Sequence, residues 1–385
     1  MKLRFVAPMI VCALVIGARP LSAQNWVSNS VPPFSWQWLA SSANGNVLVT
    51  AVNNYGPIYT STNSGTDWTS NNAPNYAWNA VVSSADGTKL AAAGPGAYMS
   101  PTAIFTSTNS GASWGQVSTL PSAETCEMAS SADGSRLALT GWDMPIYVST
   151  NSGVSWTPTG TPNQYTTVAS SADGTKLVAA GWNASVIYVS TNGGAIWTTH
   201  GAGEALWGSA CSADGSKIVV IGRGEPIYLS RDSGTTWTEP TNAPQTDWLS
   251  VAMSADGKKI FAYEDMDNLI YSSTDGGCSW TSSSPPAFGL SALVCSADGN
   301  KLAAAGYNAI YTTYSPPAPQ LNADSSGVLS WIVASTNFAV QESADLATGN
   351  WNTLTNSPVL NPTTVRDEVQ LSPSSNSGFY RLISQ

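Results

Sequence analysis

The sequence predicts an all-β repeat fold, and three observations predict it. An eight-residue stretch of the form S-x-(N/D)-x-G-x-x-W occurs six times, at 61–68, 107–114, 149–156, 190–197, 230–237 and 273–280. A tetrapeptide, Ser-Ala-(Asp/Asn)-Gly, occurs seven times, with its glycine at 45, 87, 134, 174, 215, 257 and 299. Both recur every 40 to 47 residues, and apolar runs of strand length, such as 78–82 and 89–93, flank the tetrapeptides. A fixed period of that size in strand-like units marks radially repeated sheets, and seven copies give a seven-bladed β-propeller.

Taken in order, the chain opens with a segment that reads as a secretory signal peptide. Lys2 and Arg4 form its charged start, residues 5–17 its apolar run, and Leu21-Ser22-Ala23 a small-residue cleavage site. The apolar run is short for a membrane span, and no other long apolar stretch follows, so an exported protein without a membrane span is expected. Cleavage near Ala23 leaves 11 bases against 24 acids, a net charge of about −13. That acidity disfavours nucleic acid and anionic membrane as partners.

The propeller is expected over 24–315. In each unit an Asp-Gly or Asn-Gly between two apolar runs is a hairpin signal. One strand enters the Ser-Ala-Asp-Gly turn, one leaves it, a third enters the eight-residue motif, and a fourth leaves through its Trp. Seven first turns and six eight-residue motifs leave the seventh unit one strand short. Asn25-Trp26-Val27-Ser28-Asn29 aligns with Asp67-Trp68-Thr69-Ser70-Asn71 and supplies it, so the ring should close on the N-terminal strand and hide a sheet edge. A Pro-rich linker at 316–319 follows. Residues 320–385 lose the repeat and read as a small β-sandwich, with strand-like runs at 327–333, 338–342, 351–354, 368–371 and 379–383.

The eight-residue motif has its own turn chemistry. Asn63, Asn109, Asn151, Asn192, Asp232 and Asp275 can each bond their own backbone two residues on, and the glycine two positions later supplies a positive φ. Trp68, Trp114, Trp156, Trp197, Trp237 and Trp280 then begin the outgoing strand and can bury an indole over the turn. Six copies aimed at six places are staples of the fold and cannot form one active site.

This motif resembles the Asp-box, or bacterial neuraminidase repeat, of sialidases, sortilin-like receptors and photosystem II assembly factors. Four copies carry Asn where that family usually has Asp. The resemblance implies a propeller but does not extend to sialidase chemistry, which would need three clustered arginines and a Tyr nucleophile beside a Glu. The propeller holds Arg136, Arg223 and Arg231. Arg136 follows a Ser-Ala-Asp-Gly turn and Arg231 lies inside an eight-residue motif, which leaves Arg223 for any other face.

Strand order places both repeated turns on one face. The opposite face gathers the blade-to-blade loops and the loops between second and third strands, and variable loops on a rigid scaffold are where ligands bind. Two sets of residues fall there. Trp36, Trp78, Tyr165 and Trp248 stand six residues before the Ser of their turns, and a role as wedges between blades is favoured for them. A glycine directly precedes Trp142, Trp182, Arg223 and Tyr307, with Asp143, Asn183 and Asn308 next to them and Glu225 close by. Aromatic faces beside amides and carboxylates suit sugar rings. For this set the packing and the ligand readings both stay open.

Other chemistries find no residues. The single His200 cannot build a zinc cluster, and no nucleophile elbow, Cys-His pair or phosphate-cradling loop occurs. The run Glu264-Asp265-Met266-Asp267 matches no calcium-loop spacing, so solvation is the expected role of its acids. Glu225 with Glu264 or Asp265 is the remaining seed for an enzyme. Cys126, Cys211, Cys278 and Cys295 form no disulfide framework, and Cys211 and Cys295 sit at equivalent positions that suit a small buried side chain. The expectation is an exported, monomeric binding propeller for a carbohydrate or protein ligand, with no catalytic residues, metal or cofactor. A glycoside hydrolase or lyase is the alternative, and an assembly factor is a third reading.

Overall fold

The computed structural model describes residues 26–29, 31–52, 55–70, 72–95, 101–121, 126–182 and 185–315, together with seven strands after residue 320. The proposed signal segment, the linker 316–319 and Asn183 lie outside the described residues. Every regular element among those residues is a β-strand. Among the described residues no helix is long and apolar enough to cross a membrane. The chain divides into two compact units, one of them Leu21–Ser315 and the other containing Pro316–Gln385.

The larger unit is seven antiparallel sheets in chain order. Blade 1 is typical: Trp36–Ser41, Leu48–Val52, Ile58–Ser61 and Thr69–Ser70 pair consecutively from the inner strand outward. Blade 7 takes Leu290–Cys295, Lys301–Gly306 and Ala309–Tyr314, and Val27–Asn29 pairs with the last of these in the register Val27↔Thr312. Blade 5 departs from the expected four strands. Its sheet has three, Leu206–Cys211, Ile218–Gly222 and Tyr228–Ser230, and the outer strand shrinks to a bridge between Leu229 and Thr238. Pro240 follows two residues later and has no N–H to extend that ladder.

The core lies between blades. Second strands such as Leu177–Gly181 and Ile218–Gly222 are buried along their whole length, because a neighbouring sheet covers each face. Trp36, Trp78, Tyr165 and Trp248, each 1 % exposed or less, fill the seams as wedges. The tryptophans that end the repeated motifs pack one seam back from their own blade. Trp280 of blade 6 joins the cluster of Ile221, Trp248 and Ile260 between blades 5 and 6. Trp26 joins the cluster of Phe261, Tyr263 and Leu293 between blades 6 and 7.

The eight-residue turn is built differently from the two-residue reach expected of its Asn. In blade 3 the Gly153 N–H donates to Ser149 Oγ at 2.9 Å, and the Ser149 hydroxyl donates to Asn151 Oδ1. Asn151 Oδ1 accepts the N–H of Ser155, four residues on, at 2.9 Å, and the Trp156 indole donates to the Gly153 carbonyl at 2.9 Å. Two successive residues, Ser152 (φ 56°) and Gly153 (φ 84°), turn left-handed. The Ser that opens the motif is therefore as necessary as the Asn.

The tetrapeptide turns do more than close hairpins. The amide of each turn's Ala donates to the carbonyl of the next blade's Ala: Ala43 to Ala85, then Ala132, Ala172, Ala213, Ala255 and Ala297, all at 2.7 to 2.8 Å. Ala297 donates back to Ala43, so seven hydrogen bonds run once around the ring. Basic side chains reinforce it. The stem of Lys176 lies on Gly215 of the next turn, where a Cβ would come within 2.7 Å, and its ammonium donates to the Asp214 carbonyl. The two repeated turns also bond each other on this face, as from Ser152 N–H to Ser135 O at 2.8 Å.

The second unit contains two sheets. One orders Asn322–Ala323, Val328–Ile332, Arg366–Gln370 and Val359–Asn361; the other orders Asn352–Thr353, Phe338–Ser343 and Phe379–Ser384.

Candidate functional site

Positive side chains are distributed unevenly over the larger unit. Lys89, Lys176, Lys217, Lys259 and Lys301 reach the next blade's tetrapeptide turn. Arg136 lies against Gly174, and Arg231 donates to the Gly276 carbonyl at 2.9 Å. All of these serve the face of the repeated turns. Arg223 follows the second strand of blade 5 at the opposite end, which has the variable loops.

There the structure brings together a trio. Trp182, at the end of blade 4's second strand, bridges to Ala205, and the Arg223 N–H donates to the Ala205 carbonyl at 2.8 Å. Both are thereby anchored beside the start of blade 5's inner strand, which carries Trp207. The Arg223 guanidinium lies over the Trp207 ring at 5.1 Å, and Trp182 meets that ring edge-on, centroids 6.4 Å apart and planes at 85°. Trp207 is 36 % exposed. No acid among the described residues lies within ion-pair distance of Arg223. Its charge is oriented by an aromatic face and remains available.

The sequence did not single out Trp207. The equivalent inner-strand positions hold Gln37, Asn79, Cys126, Thr166, Leu249 and Ser291, so no repeat points to it. A lone large aromatic in a register that holds no other aromatic was the available signal.

Tyr307 and Asn308 belong to another seam. They form the tip between blade 7's last two chain-consecutive strands, and Asn308 adopts φ 66°, a left-handed turn position that Asn tolerates. Its N–H donates to the Phe34 carbonyl at 3.0 Å, tying blade 7 to the segment entering blade 1. A cleft of about 430 Å³ opens there, lined by Phe34, Tyr55, Pro57, Asn75, Tyr307 and Asn308 among others. Tyr55 and Tyr307 are exposed.

Trp142 and Asp143 form a third locus in blade 3. Asp143 takes a left-handed turn conformation at φ 56°, and the half-buried Trp142 has a shielded indole N–H with no hydrogen-bond partner among the described residues. The residues that follow the repeated glycine therefore serve three separate places on one face.

The enzyme seed fares differently from its expectation. The Glu225 carboxylate accepts the Glu204 N–H at 3.2 Å and the Tyr228 hydroxyl at 3.3 Å, while Tyr228 in turn accepts the Gly203 N–H. Burial pushes the Tyr228 phenol up, which keeps it a donor. Glu264 is 1 % exposed and accepts the N–H groups of Asp267 and Leu269, both at 3.1 Å, and the Thr246 hydroxyl. Both carboxylates are thus occupied in holding loops. In the acidic run, Glu264 caps its own turn and only its neighbours face water.

Other titratable groups are placed by the fold. Glu127, half-buried on blade 3's inner strand, has no hydrogen-bond partner among the described residues, and burial pushes it up to about 8. His200 stacks on Trp237 with centroids 5.6 Å apart. Cys211 and Cys295 are free, half-buried thiols that burial pushes up to about 12.

No protein-family model and no curated protein sequence matches the chain. Solved structures do match it. YCF48 from Cyanidioschyzon merolae is 15% identical over 76% of this chain and 99% of its own, with a TM-score of 0.57. A structure of YCF48 bound to D1 peptide is 16% identical over 80% of this chain and 98% of its own, with a TM-score of 0.57. A GH74 xyloglucanase from Xanthomonas campestris is 15% identical over 80% of this chain, with a TM-score of 0.59, and the match spans 60% of that enzyme. At such identities the likeness is one of fold.

Proposed function

We propose that this protein is an exported binding propeller of the Asp-box type that recognises a carbohydrate or protein ligand on the face opposite its repeated turns. The observation that carries the reading is Arg223 stacked on Trp207 beside Trp182. The corner offers exposed aromatic surface next to a cation that no acid among the described residues pairs with, on loops pinned by backbone bonds to Ala205. Aromatic and Arg anchors of this kind dominate binding energies at recognition surfaces. Binding without turnover is favoured because Glu225 and Glu264 hold their own loops. The fold is shared with a protein solved bound to a peptide and with glycoside hydrolases, so both ligand classes belong in the test.

Three further features complete the proposal. The first 23 residues direct export and are removed near Ala23. The N-terminal strand closes the ring, a reading supported by its pairing with Ala309–Tyr314 and by Trp26 in the seam of blades 6 and 7. The two C-terminal sheets form a β-sandwich domain after the linker. The test is a glycan and peptide array read for both binding and cleavage, with Trp207→Ala and Arg223→Ala beside the wild type. Binding without cleavage, weakened in both variants at unchanged melting temperature, is expected. Cleavage that Glu225→Gln abolishes would establish the hydrolase instead.

A further inference from the structure

We propose that the cleft where blade 7 meets blade 1 is a second binding site, separate from the Arg223 corner, and that it takes an uncharged polysaccharide chain. The inference rests on the reading of the variable face as the ligand face and adds a ligand class to it.

The cleft of about 430 Å³ is of a size usual for small-molecule sites. None of the described residues that line it carries a charge, although the chain as a whole is strongly acidic. A charged ligand group would lose water there and find no counter-charge. Part of its backbone is already committed: Gly56 exchanges hydrogen bonds with Tyr76 and accepts the Trp78 indole, Asn308 N–H binds Phe34 O, and Ser35 bridges to Tyr307. The side-chain groups it offers a ligand include the hydroxyls of Tyr55 and Tyr307 and the amides of Asn75 and Asn308. Among the described residues none of the four has a hydrogen-bond partner.

Each of those groups both donates and accepts. Sugar hydroxyls also do both, and therefore match them. A proline-rich peptide presents carbonyl acceptors almost alone, so half of this capacity would go unmet. The tyrosine rings, 60 % and 71 % exposed, supply apolar faces of the kind on which a pyranose stacks. Aromatic walls with ambivalent polar edges and no charge thus define a neutral sugar.

The experiment is affinity electrophoresis of the full chain in gels containing neutral β-glucan, mannan or xylan, with polygalacturonate and a proline-rich peptide as competitors. Variants are Tyr307→Ala, Tyr55→Ala, Asn308→Gly, which keeps the left-handed turn, and Trp207→Ala. Retardation by a neutral glycan should weaken about tenfold or more in Tyr307→Ala, the scale of losing one aromatic stacking platform, and persist in Trp207→Ala. Retardation lost only in Trp207→Ala, or competed mainly by polygalacturonate or the peptide, overturns the cleft but leaves the variable face standing. Retardation that no variant alters overturns both.

Discussion

The amide of Ala297 in the last blade donates to the carbonyl of Ala43 in the first at 2.7 Å, completing a circuit of seven such bonds. The inner ring therefore closes without help from the chain's beginning. Closure at the rim is a separate matter, proposed for Val27–Asn29 against Ala309–Tyr314, where Asn29 Nδ2 also donates to Thr312 Oγ1 at 3.1 Å.

Deleting residues 24–29 tests the outer closure. The inner circuit should survive, while Ala309–Tyr314 gains an exposed edge that favours self-association. The loss of a strand and of the Trp26 contacts should cost several kcal/mol, a large part of the stability of an ordinary domain. An unchanged melting temperature and a monomeric deletion variant would rule out the strand as the ring's clasp.

The contact between Lys176 and Gly215 should appear as an energetic coupling. Gly215 has φ 62° and no room for a Cβ against the lysine stem, so Gly215→Ala should cost about 2 kcal/mol or more. Lys176→Ala in the same background removes the Cδ contact at 2.7 Å, while its own Cβ at 2.8 Å, Ser171 Cβ at 3.0 Å and the backbone strain remain, so the relief is partial. Denaturant melts of the four proteins should give a coupling of at least about 0.5 kcal/mol, and strict additivity would contradict the packing described.

Two substitutions of Asn by Asp should differ. Asn151→Asp is expected to be near neutral, since Ser155 can donate to the new carboxylate as Thr236 does to Asp232 and Ser279 to Asp275, both at 2.6 Å. Asn63 instead donates its amide to Asp67 at 2.8 Å. Asn63→Asp sets two carboxylates face to face and should cost about 1 kcal/mol, shrinking in high salt because the pair is exposed. Equal melting curves for the two variants at low salt would show that the amide contributes nothing.

Stability should depend on pH in two opposite ways. Hydroxyl and backbone N–H donors hold Asp133, Asp173 and Asp214 down to about 2, below the usual carboxylate range. Their contribution is full above about pH 4 and is lost as pH falls toward 2, so acid should unfold the ring in that window. Glu127 acts the other way: burial favours its neutral form, so it destabilises increasingly as pH rises from about 4.5 to 8. Glu127→Gln should therefore gain more than about 1 kcal/mol over the wild type at pH 9 and little at pH 5. Parallel stability curves for the two proteins would refute the assignment.

Much of the fold was legible because each blade repeats the same local solution. Six Trp and seven Asp-Gly or Asn-Gly turns at one period give the blade count, and the strand order then gives the two faces. Less was legible where a contact spans blades. The Ala circuit involves main-chain groups between turns some 40 residues apart, and no side chain records it. The Asn of the repeated motif was read with the wrong reach, because Ser149 takes the contacts that a shorter Asx turn would make. Trp207 escaped because its register holds a different residue in each blade, so no periodicity marks it. Asp143 and Asn308 drew attention as polar neighbours of aromatics, yet their identity follows first from left-handed turns.

The measurement that bears most directly on the proposed function is amide hydrogen exchange with and without whichever array ligand binds. Protection should rise in the variable-face segments, 202–207 and 223–225 for the Arg223 corner and 32–35 with 307–309 for the cleft. The seven Ser-Ala-Asp-Gly turns should exchange as before. Protection confined to those turns, or to the segments after residue 320, would contradict a ligand face opposite the repeats.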